Sequence, residues 1–117
     1  MARGKVTPLQ THPCDETMVV REGELLGHVQ GEEYVVAQHG VLVAPRGVPH
    51  AFMVTSETAR MLVLETPGGS EAFYRGASAT ATEGVLVLAP VDMARVQQSA
   101  KENGGIEILG PPPFAPR

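Results

Sequence analysis

Between Thr17 and Thr66 no apolar or alternating run exceeds eight residues before turn-forming residues interrupt it. Thr17–Arg21, Leu25–Val29, Tyr34–Ala37, Val41–Ala44, Ala51–Thr55 and Ala59–Thr66 are short and rich in β-branched residues. Glu22-Gly23-Glu24, Gln30-Gly31-Glu32-Glu33, Gln38-His39-Gly40, Pro45–Pro49 and Ser56-Glu57-Thr58 separate them. Strands recurring roughly every 8–12 residues with turn signals between are the pattern of an all-β sandwich or barrel. The 13 Gly and 10 Pro among 117 residues suit that punctuation better than a helical bundle.

The flanks are simpler. Residues 1–9 are a lead-in, with an edge strand expected around Lys5–Leu9. Beyond Pro67-Gly68-Gly69 the pattern changes: Ser70–Arg75 reads as a helix start with Ser70 as N-cap. Gly76–Gly84 is small and polar and reads as a loop. Val85–Leu88 reads as a strand or as packing against the barrel. Pro90–Asn103 is the one full helix, with an apolar stripe of Met93, Val96 and Ala100, stopped by Gly104-Gly105. Ile106–Leu109 is a short strand. One domain, 1–117, is expected, with a barrel over about 5–66 and an appendage over 67–117.

Composition excludes several classes. A net charge of −4 gives no basic footprint, so no nucleic-acid partner is expected. No apolar run approaches the ~20 residues a membrane helix needs, so no membrane partner is expected. The basic N-terminus lacks a following apolar region and does not read as a signal peptide. The single Cys14 excludes an internal disulfide, and a cytoplasmic location is the default.

The chemistry lies in two blocks. The first is Gln10-x-His12-x3-Glu16-x6-Gly23; the second is Gly40-x4-Pro45-x-Gly47-x2-His50-x3-Val54. Gln10 and His12 share a strand face; if Glu16 points inward, so do Met18 and Val20, leaving Thr17 and Arg21 outside. The rigid Pro45-Arg46-Gly47-Val48-Pro49 loop delivers His50 to the start of its strand.

These blocks resemble the two motifs of the cupin superfamily, and Leu62–Gly69 and Gly105–Pro112 extend the likeness to small bacterial monocupins of the quercetin-dioxygenase-like group. The resemblance implies a jelly-roll β-barrel with a C-terminal α-helix. It also implies one divalent transition metal (Fe, Mn, Ni, Cu, Co or Zn) held by Gln10, His12, Glu16 and His50, with Glu16 doubling as catalytic base. The chain departs from the motifs at three points: Gln10 stands at the first His position, Val54 replaces an Asn, and Gly40 lies one residue closer to Pro45.

By alternation Met18, Val20, Phe52 and Val54 line an apolar pocket suited to an aromatic or polyketide-like small molecule. His28 reads either as an extra ligand replacing the missing one or as a surface or core histidine. Cys14 reads as a ligand or redox-active thiol, or as a packed bystander. His39, Arg46 and Arg60 read as solvated. Related monocupins carry further strands before the first motif, so a homodimer covering the exposed edge is expected, or else Val85–Leu88 or Ile106–Leu109 fills the gap in cis. Three functions follow: a metal-dependent dioxygenase-type enzyme, a non-redox cyclase or isomerase using the metal as Lewis acid, and a non-enzymatic binding module.

Overall fold

The computed structural model describes residues 1–78 and 91–115. Eight strands run as β1 (Leu9–Thr11), β2 (Asp15–Glu22), β3 (Glu24–Val29), β4 (Glu32–Ala37), β5 (Val41–Ala44), β6 (His50–Val54), β7 (Arg60–Thr66) and β8 (Glu107–Gly110). Two helices, α1 (Glu71–Ala77) and α2 (Met93–Asn103), fall between β7 and β8. The strands form two antiparallel sheets, ordered β4-β3-β6-β1-β8 and β5-β2-β7. This is the all-β architecture that the turn spacing predicts.

Alternation sorts each strand between a wet and a dry face. Along β2, Glu16, Met18 and Val20 are buried while Arg21 is exposed. The core between the sheets joins Met18, Val20, Leu42 and Ala44 to Leu25, Val36 and Val54, with Phe52, Met61 and Val63 packed against it. Full burial of a side chain such as Met18 contributes about 1.5–3 kcal/mol. Two glycines permit this closeness. A Cβ on Gly27 would stand 2.4 Å from Leu42 Cδ2, so a side chain there would displace the buried Leu42. Gly23, at φ +82°, makes the β2–β3 turn where a Cβ would meet the Thr58 carbonyl oxygen at 2.2 Å.

The flanks correct several expectations. The edge strand expected around Lys5–Leu9 forms only in part. Val6 bridges Met53, the Thr7 N–H donates to the Phe52 carbonyl and the Val54 N–H to the Lys5 carbonyl, and the regular strand begins at Leu9. Moreover β1 is interior, between β6 and β8. The strand expected at Ile106–Leu109 forms as β8 and pairs with β1. Val85–Leu88, and residues 79–84 of the expected loop, lie outside the described residues.

Ser70 precedes α1 but does not cap it. Its backbone is helical (φ −94°, ψ −4°) rather than extended, and its hydroxyl points instead toward Cys14. For α2 the cap is Asp92, whose carboxylate accepts the Arg95 N–H at 3.1 Å, so the helix starts at Met93 rather than Pro90. Gly104 ends it, its N–H bonding the Ala100 carbonyl. The buried Ser99 hydroxyl donates to the Phe73 carbonyl at 2.7 Å and ties α2 to α1.

Candidate metal centre

The two sequence blocks are sewn together by their own backbones. The Gly47 N–H donates to the His12 carbonyl at 2.9 Å, and the Arg46 N–H donates to Asp15 Oδ1 at 2.9 Å. That backbone donor, then the Arg46 guanidinium at 3.3–3.4 Å, holds the Asp15 carboxyl below its ordinary pKa. Gln10 on β1 is the register partner of His50 on β6. These links place both blocks at one end of the space between the sheets.

There His12, Glu16 and His50 converge, each no more than 4% exposed. Glu16 Oε2 lies 3.2 Å from His12 Nε2 and 3.1 Å from His50 Nε2. The two imidazoles stack with centroids 5.0 Å apart. His12 Nδ1 lies 3.1 Å from the Gly105 carbonyl and His50 Nδ1 lies 2.9 Å from the Val48 carbonyl. A carbonyl oxygen only accepts, so each Nδ1 carries the hydrogen and each Nε2 is left aimed at the centre.

Two imidazole lone pairs and a carboxylate oxygen facing one another repel unless a positive charge stands among them. A divalent ion supplies it, and backbone carbonyls fixing the far nitrogens are the usual outer support of metal-ligating histidines. The donor set therefore fits a first-row metal. Without metal the charge must be a proton. Burial lowers the His50 pKa, but the hydrogen bonds to Glu16 and to the Val48 carbonyl outweigh it, and the net shift is upward.

The other expected site residues fall in different places. Gln10 is buried on β1 opposite His50, its register partner. His28 is corrected. Gly27 faces Leu42 in the core, so its neighbour His28 points to the opposite side of the sheet, where its ring meets the edge of Phe114 at 6.2 Å. The pocket-lining expectation is corrected too. Met18, Val20 and Val54 are 0–1% exposed and are core packing, with Phe52 against them. His39 is exposed in its turn, and Arg46 and Arg60 are exposed in pairs with Asp15 and Glu22.

Sequence reasoning misses Glu65, Tyr74 and Ser70 as neighbours of the site. Glu65 is the register partner of Glu16 across β2 and β7, and it follows Met61 and Val63 on the inward face. Tyr74 on α1 donates its hydroxyl to Glu65 Oε1 at 2.8 Å. Loss of hydration at that hydroxyl, then the Glu16 and Glu65 carboxylates, raise its pKa and keep it a donor, although the side chain as a whole is exposed. Cys14 is buried, its thiol 3.7 Å from Glu65 Oε2 and 3.9 Å from Ser70 Oγ, with a pKa raised chiefly by burial. A signal for Glu65 exists: a lone carboxylate at an inward strand position, the same sign that marks Glu16.

Two clefts flank these groups. One, of about 600 Å³, has His12, Arg46, Gly105 and Glu107 on its walls. The other, of about 470 Å³, lies between β7 and α1, lined by Met61, Val63, Glu65, Ser70 and Tyr74.

The cupin domain family matches residues 1–65, more than half of the chain, and the protein belongs to that family. Among solved structures, a protein from Thermus thermophilus is 29% identical, with TM-score 0.54 over 57% of this chain and 66% of that one. An oxalate oxidase bound to the substrate analogue glycolate is 28% identical, with TM-score 0.50 over 56% of this chain and 37% of its own. The DMSP lyase DddQ from Ruegeria pomeroyi DSS-3 is 26% identical, with TM-score 0.52 over 56% of this chain and 34% of its own. The match thus spans less than two thirds of each relative's length. No curated protein sequence matches this chain.

Proposed function

We propose that this protein is a metal-dependent enzyme acting on a small organic molecule, of the dioxygenase type. The observation that carries the proposal is the buried convergence of His12, Glu16 and His50, with one carboxylate oxygen within 3.2 Å of both imidazole nitrogens. A bound metal would polarise an oxygen ligand or take part in redox chemistry. His12 and His50 would hold it through nitrogens already oriented by Gly105 and Val48. Glu16 serves as ligand and as a base for a substrate proton.

The substrate class rests on the clefts rather than on the core residues first expected to line a pocket. The β7–α1 cleft combines Met61 and Val63 with the Tyr74 ring and the Glu65 carboxylate, which suits a small aromatic or polyketide-like molecule bearing a hydroxyl group.

A second reading, a non-redox cyclase or isomerase, is favoured by Gln10. An amide at the fourth position tunes a redox metal less strongly than an imidazole does and leaves a Lewis acid adequate. An oxidase and a lyase both stand among the similar structures, so the fold alone does not choose. A homodimer belongs to the same proposal. The outer face of the three-stranded sheet presents Val41, Val43, Leu62 and Leu64 at 46–55% exposure, an apolar surface a second copy would cover.

Metal analysis of the purified protein, with His50→Ala as control, tests the reading. Iron, copper, manganese or nickel supports oxygenase chemistry, and zinc alone supports the cyclase or isomerase. A metal-free protein in both forms leaves only a binding module. Light scattering that shows only monomers at micromolar concentration removes the dimer.

A further inference from the structure

His12 belongs to two clusters of ligand atoms. One is the triad with Glu16 and His50; the other joins His12 to Cys14 and Glu65, again with all ligand atoms within 4.8 Å of one another. Nothing in the cupin motifs assigns a role to Cys14 or Glu65. Both are nonetheless arranged. Tyr74 holds Glu65 Oε1, which leaves Oε2 facing the thiol at 3.7 Å. In a tetrahedral site with metal–sulfur and metal–oxygen bonds of ordinary length, sulfur and oxygen stand about 3.6 Å apart. The pair already has that spacing. Glu65 also forms part of the wall of the β7–α1 cleft, which gives an ion an entry path and room for a water ligand.

We propose that His12, Cys14 and Glu65 form a second coordination mode for the same metal ion, taken by thiophilic divalent metals. The inference rests on the metal-centre reading above. Because the Gly105 carbonyl engages His12 Nδ1, both modes draw on Nε2, and one nitrogen lone pair binds one ion at a time. The modes are therefore alternatives, and the stoichiometry stays at one ion per chain. Hard ions take the oxygen and nitrogen donors of the first triad; softer ions take the sulfur. Entry of the ion releases the thiol proton to solvent, and the ion takes the proton's place between Sγ and Oε2.

Cobalt(II) is the probe. Metal-free protein titrated with it under nitrogen is expected to develop a near-ultraviolet sulfur-to-cobalt charge-transfer band that saturates at one equivalent. Cys14→Ser and Cys14→Ala are expected to lose the band yet still bind cobalt through His12, Glu16 and His50, with affinity about tenfold lower. Glu65→Gln weakens the band's midpoint without abolishing it. Cobalt bound at one equivalent without the band overturns this inference and leaves the metal centre standing. A band that saturates only at two equivalents overturns the shared-ion arrangement. Absence of any cobalt binding overturns both.

Discussion

The two ends of the space between the sheets are built from the same strands and differ in everything else. Along β2 the inward positions run Glu16, Met18, Val20; along β6 they run His50, Phe52, Val54. One end of each strand carries an ionisable ligand and the other carries core. At the apolar end burial is favourable on its own account. At the ligand end three polar groups are almost wholly removed from water, which is unfavourable unless charge and hydrogen bonds compensate. Stability and chemistry are thus separated by two or four residues along one strand rather than assigned to different elements.

The largest test of that separation is at the apolar end. Met18→Ala removes a fully buried side chain and should cost about 2–5 kcal/mol in chemical denaturation. One metal per chain should still bind to the folded variant; loss of binding there would show that the ends are coupled. At the other end, His50→Ala should lower manganese(II) affinity more than about 100-fold by calorimetry, since even the loss of outer support reaches that range. Manganese should then no longer raise the variant's melting temperature, whereas it raises that of the parent protein.

A smaller effect concerns pH. The folded His50 pKa lies above its ordinary 6.5, so the metal-free native state binds the proton more tightly than the unfolded chain does. Its contribution to stability is full below the unfolded value and is lost as pH rises through the folded one. The metal-free melting temperature should therefore fall across that window, and the fall should be missing in His50→Ala. Metal affinity should move the opposite way, rising as the competing proton leaves. Smallest of all is Arg46→Ala. Its pair with Asp15 is open to water, so melting should barely change, and a large loss of metal affinity would assign Arg46 a role the pairing does not suggest.

Local pattern made one half of this legible. Period-two alternation put Glu16, Met18 and Val20 on one face, and the turn chemistry of Gly23 and Pro45–Pro49 set where strands stop. Long-range pairing hid the rest. Glu65 meets Glu16 only through the β2–β7 register, and Tyr74 reaches it only because α1 folds back over β7. Ser70 looked like a cap because its neighbours are helical, yet the position it occupies serves Cys14 instead. His28 sat in a plausible strand with nothing in the residues to say which face met the core. The contact that decides it is between Gly27 and Leu42.

The carbonyl that orients His12 comes from Gly105, 93 residues later in the chain. His50, by contrast, takes its orienting carbonyl from Val48, two residues away. The Gly105 carbonyl stands between α2 and β8, and β8 is the strand that pairs with β1. A change in the α2–β8 connection would therefore disturb one histidine of the centre and leave the other in place.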